Sequence, residues 1–150
     1  VITYTVERWV DCRDDLKFLL PIHWAEIDNN QENAPFDPDY DAYQMLDNGG
    51  FLHLVLVRDD GRLIGYHSFV MRTHLHAKST LMAFADVYYI LPEYRYGRIG
   101  IKMFLFAESS LKDLGVKQIY NATTMKLNNG PIFKRLGYTH IEDVYVKELV

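Results

Sequence analysis

The stretch from Phe84 to Glu108 constrains the architecture of this chain more than any other. Phe84-Ala85-Asp86-Val87-Tyr88-Tyr89-Ile90-Leu91 is rich in aromatic and β-branched residues and reads as a strand. Ile101-Lys102-Met103-Phe104-Leu105-Phe106-Ala107-Glu108 reads as a helix. Between them lies Pro92-Glu93-Tyr94-Arg95-Tyr96-Gly97-Arg98-Ile99-Gly100. A strand that feeds a helix through a turn containing Gly and Arg is suited to holding a phosphate. The first helical N–H groups lack intrahelical partners, and the helix dipole favours negative charge there. Two arginines add positive charge, and two glycines let a ligand approach the backbone.

The flanking sequence predicts the rest. Ile2 to Arg8 alternates as a strand, and Asp11 can cap a helix from about Arg13 to Asp28, which Pro21 should kink or split. Asn29 to Asp39 reads as a polar loop. A short helix through Tyr40, Tyr43, Met45 and Leu46 ends at Asn48-Gly49-Gly50. A meander follows: a strand Phe51–Arg58, a hairpin turn at Asp60-Gly61, a strand Leu63–Leu75, a turn His76–Ser79, and a strand Thr80–Leu91. The helix after the phosphate-like turn stops at Leu114-Gly115. Val116 to Asn121 is a short strand, Asn129-Gly130-Pro131 opens a short helix ending at Leu136-Gly137, and Tyr138 to Leu149 reads as the last strand. No repeat or linker divides the chain, so residues 1–150 are expected to form one domain.

Two signatures in this order resemble the GCN5-related N-acetyltransferases. The first is that family's acyl-coenzyme A motif, Gln/Arg-x-x-Gly-x-Gly/Ala. Arg95 fills its first position and Gly100 its last, while Arg98 stands at the middle glycine and Gly97 lies one residue early. A non-Gly residue tolerates positive φ poorly. The turn must therefore keep Arg98 right-handed or move its tight bend to Gly97. The second is Ile132-Phe133-Lys134-Arg135-Leu136-Gly137-Tyr138, which is similar to the family's Leu-Tyr-Glu-Lys-Leu-Gly-Phe. The resemblance covers nearly all of the chain. It implies an α/β (more closely α+β) domain, with a mixed, mostly antiparallel sheet of about six strands flanked by about four helices.

The implied activity is N-acetyl transfer from acetyl-coenzyme A to a primary amine by direct attack in a ternary complex. The pyrophosphate would lie on backbone N–H groups across Arg95, Tyr96, Gly97, Arg98, Ile99, Gly100 and Ile101. The pantetheine arm would pair with Tyr89, Ile90 and Leu91, beside a bulge in that strand. Asn128 would meet its amides, and Phe133 would line the site. Asp86 would be the general base. An Asp inside an apolar strand is costly unless paired or functional, and simple alternation gives it the side-chain parity of Tyr88 and Ile90. Relatives often protonate the leaving thiolate with a Tyr of the last helix. That position is Phe133 here, which has no proton to give. Tyr88 and Tyr120 remain as alternatives, and Tyr138 aligns with a core aromatic.

Composition narrows the partners. A net charge of −4, without a basic stripe, argues against a nucleic-acid surface and suits a cationic amine. The acceptor is open: a small molecule, a protein lysine or an amino terminus. No run is long and apolar enough for a membrane span, and no signal-peptide pattern opens the chain. Cys12 is the one cysteine, so no internal disulfide forms, and a reducing, cytoplasmic setting is expected. His74 and His76 lack a third ligand for zinc, and no metal is expected. The acidic Asp37, Asp39 and Asp41 can attract a cation or simply be solvated. Dimerisation through the last strand or the Thr80–Leu91 face is common in the family. The principal alternative is a non-catalytic member that binds coenzyme A or serves as an interaction module, favoured by Phe133 and Arg98. A nucleobase-modifying relative with another donor is disfavoured by the net acidity.

Overall fold

The computed structural model describes residues 1–27 and 34–149. Its centre is a five-stranded sheet in the order β1 (Ile2–Glu7), β2 (Leu52–Asp59), β3 (Arg62–His74), β4 (Ala77–Ile90) and β5 (Gln118–Tyr120). The first four strands pair antiparallel and β5 joins β4 in parallel. The interior strand β2 is buried from Leu52 to Val57, because both faces of the sheet are covered. One face carries α1 (Trp9–Glu26) and α2 (Tyr40–Asn48), and the other carries α3 (Ile99–Asp113) and α4 (Gly130–Arg135). Trp9, Tyr66, Phe69, Leu54, Leu56 and Met103 are among the largest fully buried side chains.

Several departures from the expected boundaries have identifiable causes. α1 begins at Trp9, four residues before the expected Arg13, and no local side chain caps it. The cap comes from α2 instead. The buried carboxylate of Asp47 accepts from the Trp9 amide (3.2 Å) and from Arg8 Nε (2.9 Å). α1 also runs through Pro21 unsplit, to Glu26, because Leu16 and Leu19 are anchored in the core just before the proline. Its expected end at Asp28, and the first residues of the expected loop, lie outside the described residues. Asp39 caps α2 by accepting from the Ala42 amide.

The β2–β3 hairpin turns at Asp60 (φ 45°) and Gly61 (φ 87°), the left-handed pair that a two-residue turn requires. The next hairpin is tighter than expected. It turns on Leu75-His76, so β4 starts at Ala77 rather than Thr80. Pairing with β3 overrides the weak β propensity of Ala77, Lys78 and Ser79. The expected last strand, Tyr138–Leu149, is not formed. Residues 139–149 carry no regular structure, and Val144, Tyr145, Val146 and Leu149 are all exposed. Alternation there supplies a strand pattern but no partner, so the sheet has five strands.

Candidate active site

β4 is irregular where it matters. Ser68 pairs with Val87 and Phe69 with Ala85, so Asp86 is the extra residue of a β-bulge. The buried Ser68 hydroxyl fills the irregularity, lying 3.4 Å from the Val87 amide, the Val87 carbonyl and Asp86 Oδ2. The bulge overturns the simple parity expected for Asp86. Its carboxylate faces α2, where it accepts from the Tyr43 hydroxyl at 3.2 Å. Tyr88 lies on the opposite face among Phe104, Phe133 and His67. Asp86 is also exposed, so the cost of burying a carboxylate does not apply to it. Burial and the Asp86 charge together push the Tyr43 phenol well above its usual range.

Beyond Phe84, β4 has no neighbour on the β5 side among the described residues, since β5 pairs only with Met82, Ala83 and Phe84. The Leu91 amide donates to Ile64 on β3. Antiparallel alternation therefore turns the N–H and C=O groups of Ile90 and Tyr88 toward the open edge. Of Tyr89, Ile90 and Leu91, only Ile90 presents its backbone there, and the Ile90 carbonyl already accepts from Arg95 Nε at 2.8 Å. Where β5 ends, His67 Nε2 and Asn121 Oδ1 lie 3.0 Å apart, and Asn121 Nδ2 donates to the Tyr138 hydroxyl at 3.1 Å. Burial pushes His67 down to about 3, so the ring is neutral. Its Nε2–H must be the donor to Asn121, which leaves a bare buried Nδ1 with no partner among the described residues.

The turn into α3 takes the second of its two expected routes. Gly97 is left-handed at φ 82°, while Arg98 has φ −114° and ψ 8° as the N-cap residue. Among the described residues no side chain caps α3, and its first turn holds no acidic residue. The amides of Ile99, Gly100 and Ile101 precede the first intrahelical bond, Lys102 to Arg98. A Cβ placed on Gly100 would meet only Ile90 Cδ1 at 3.7 Å, so packing does not demand glycine there. Arg98 and Tyr96 are exposed beside these amides.

Arg95 does something the sequence did not suggest. Its guanidinium pairs with Glu26 at the end of α1 and lies over the Tyr89 ring, whose hydroxyl also donates to Glu26 (2.8 Å). The Arg95 ion pair holds the Glu26 carboxyl below its ordinary range. His23 stacks on Tyr89 at 4.5 Å and hydrogen-bonds Tyr66, and burial lowers it to about 4. This cluster fastens α1 to the end of β4. No signal local to Arg95 marks it, because Glu26 is distant in sequence.

At the start of α4, Asn128 Oδ1 accepts from the Gly130 amide (2.9 Å), so its NH2 end is the one left to face a ligand. Asn129 Nδ2 donates to the Tyr88 hydroxyl at 3.1 Å. Phe133 is buried, 5.2 Å from Phe104 and edge-on to Tyr88 at 6.0 Å. Among the described residues no His, Cys, Asp and Glu cluster could hold a metal, and no helix is long and apolar enough to cross a membrane. Cys12 is buried and pushed up to about 12, away from reactivity.

Comparison with known proteins completes the description. The sequence pattern of the Acetyltransferase (GNAT) family matches residues 16–138. No curated protein matches the chain. Among solved structures, a ribosomal-protein-alanine N-acetyltransferase from Brucella melitensis biovar Abortus is similar with a TM-score of 0.71, at 13% identity over 100% of both chains. An aminoglycoside acetyltransferase from an uncultured soil metagenomic sample, in complex with sisomicin, has a TM-score of 0.73 at 13% identity, over 99% of this chain and 95% of that one. A predicted acetyltransferase from Clostridium acetobutylicum, with acetyl-CoA, has a TM-score of 0.74 at 13% identity, over 99% and 96%.

Proposed function

Because the chain belongs to the acetyltransferase (GNAT) family, we propose that it transfers an acetyl group from acetyl-coenzyme A to a primary amine, both substrates being bound together. One observation carries the reading. The uncapped start of α3, with Gly97 and Arg98, opens beside the unpaired edge of β4. An anion site and an extended backbone edge thus adjoin, which is the shape that a pyrophosphate with a pantetheine arm requires.

The residues at hand fit that cosubstrate. Amides 99–101 and Arg98 would hold the pyrophosphate, and Gly100 leaves room in front of them. Arg95, Tyr96 and Gly97 shape the turn. Ile90 and Tyr88 offer backbone groups to the arm, with Tyr89 and Leu91 turned toward β3 as support. Asn128 and Phe133 would border its far side, the Phe133 ring lying 6.0 Å from that of Tyr88. Bound acetyl-coenzyme A supplies an activated acyl carbon on a good leaving group. An amide on the β4 edge can polarise the thioester oxygen. Asp86, exposed at the bulge, takes the ammonium proton directly or through one water.

The acceptor is proposed to be a cationic amine, either a small molecule or a protein lysine or amino terminus. The acidic Asp86, Glu26, Asp37, Asp39 and Asp41 and the net charge of −4 support it. Named neighbours act on aminoglycosides and on a ribosomal-protein alanine, which are likewise amines. Phe133, lacking a hydroxyl, favours a second reading: a binder of coenzyme A without turnover.

A thermal melt with acetyl-coenzyme A tests the cofactor site. Ligand at about 100 times its Kd adds about 2.7 kcal/mol and should raise Tm by roughly 5–10 °C. No shift at millimolar ligand refutes both readings. A shift with thiol release in the presence of sisomicin or an alanine-terminated peptide supports catalysis. A shift with no release across broad amine pools supports the binder.

A further inference from the structure

Phe133 leaves the departing thiolate without the proton source that relatives carry in the last helix, and the structure brings a different hydroxyl to the same ring. Tyr88 stands on the face of β4 that α3 and α4 cover. Its own backbone belongs to the unpaired edge, two residues, or about 6.6 Å, beyond Ile90 on the way from the phosphate turn to Asp86. A chain extended along that edge from the start of α3 passes the base of the Tyr88 side chain. The phenol is half-buried, and its bond from Asn129 is one that it accepts, so its own proton is not spent there. Neighbouring tyrosines are committed otherwise. Tyr89 donates to Glu26 on the other face, Tyr120 donates to Gln118, and Tyr138 hydrogen-bonds Glu108.

We propose that Tyr88 is the proton donor to the departing coenzyme A thiolate, an assignment that rests on the acyl-transfer reading above. The acceptor nitrogen bonds to the thioester carbon, the C–S bond breaks with its electron pair on sulfur, and sulfur takes the proton of Tyr88 Oη. The phenolate is then reprotonated from solvent, while the proton lost by the amine leaves through Asp86.

The test needs no acceptor. The thiol of bound coenzyme A is titrated by its ultraviolet thiolate absorbance in the wild type, in Tyr88→Phe and in Asn129→Ala. A phenol that hydrogen-bonds sulfur favours the thiolate. Tyr88→Phe keeps the ring packing and should raise the thiol pKa by about one unit, a tenfold change in thiolate at fixed pH. Affinity for desulfo-coenzyme A should stay unchanged. Asn129→Ala removes the same contact but leaves the hydroxyl, and should titrate like the wild type. Equal thiol pKa values in wild type and Tyr88→Phe overturn the assignment while the acyl-transfer reading stands. An equal shift in Asn129→Ala also overturns it, since the effect then lies in the seating of α4. A wild type that binds no coenzyme A overturns the acyl-transfer reading, and this assignment with it.

Discussion

Gly100→Ala separates what the fold needs at the start of α3 from what the ligand needs. Gly100 is the second residue of a 15-residue helix and has no positive φ, and the added methyl meets only Ile90 Cδ1 at 3.7 Å. Alanine is favoured over glycine inside a helix by up to about 1 kcal/mol, and less in the first turn, so the free protein should gain about 0.5 kcal/mol. At this size that is roughly 1–2 °C in Tm. The same methyl occupies the space before the amides of Ile99, Gly100 and Ile101. A tenfold loss of affinity would cut the stabilisation by a fixed acetyl-coenzyme A concentration from about 2.7 to about 1.4 kcal/mol. Gly100→Trp, filling that space, should abolish binding in a folded protein. Gly97→Ala is the contrast. A Cβ there touches nothing within 4 Å, but φ is 82°, so the free protein should lose about 1–2 kcal/mol. The assay is a thermal melt of each variant with and without acetyl-coenzyme A. A Gly100→Ala protein that melts lower without ligand, or keeps the full ligand shift, refutes the reasoning.

Four other perturbations discriminate between residues. Arg98→Ala should weaken coenzyme A binding several-fold and flatten its salt dependence more than Arg95→Ala, whose guanidinium is engaged by Glu26; isothermal titration at two salt concentrations giving the reverse order would sink that ranking. His23 and His53, held down to about 4, and His67, to about 3, are neutral in the fold and bind protons more readily when unfolded. Stability should therefore fall as pH drops below about 6.5, by on the order of 3 kcal/mol in total at pH 5.5, and urea melts that are flat between pH 7 and 5.5 would contradict this. Asp47→Ala strips the Trp9 amide and Arg8 of their shared acceptor and should cost about 2–3 kcal/mol by denaturant unfolding, whereas a loss below 0.5 kcal/mol would deny Asp47 its capping role. Asp86→Asn should lower turnover at neutral pH with little change in acetyl-coenzyme A affinity, and wild-type turnover in that variant removes Asp86 from the mechanism.

What could be read from the sequence was mostly local. Asp60-Gly61, Gly115 and Gly137 all have positive φ, and the local sequence marks each as a turn or a helix end, whereas Gly97 was one of two routes that the motif resemblance left open. The strand–turn–helix unit around residues 84–108 was legible for the same reason, since its chemistry is backbone chemistry with glycine punctuation. The features that stayed hidden depend on partners far away in sequence. Asp47 caps a helix that begins 38 residues earlier. Arg95 answers to Glu26, and Asn129 to Tyr88. The resemblance implied a bulge in this strand, but its place at Asp86 depends on Ser68, whose hydroxyl satisfies the irregular backbone from the neighbouring strand. The C-terminal segment shows the converse error, in which a period of two was present but the sheet offered no companion.

That single extra residue in β4 divides labour across the sheet. In a strictly alternating strand, Asp86 and Tyr88 would project from one side, close enough for a phenol and a carboxylate to trade a proton between themselves. The half-step at the bulge sends them through opposite surfaces, so the sheet becomes a partition with an acidic group on one side and a hydroxyl on the other. In the proposed transfer, nitrogen and sulfur share one carbon at the open edge of β4, and the amine's proton would leave toward one side while the thiol's would arrive from the other. Deleting Ala85 would set Asp86 opposite Phe69 and bring it to the side of Tyr88, without removing either side chain.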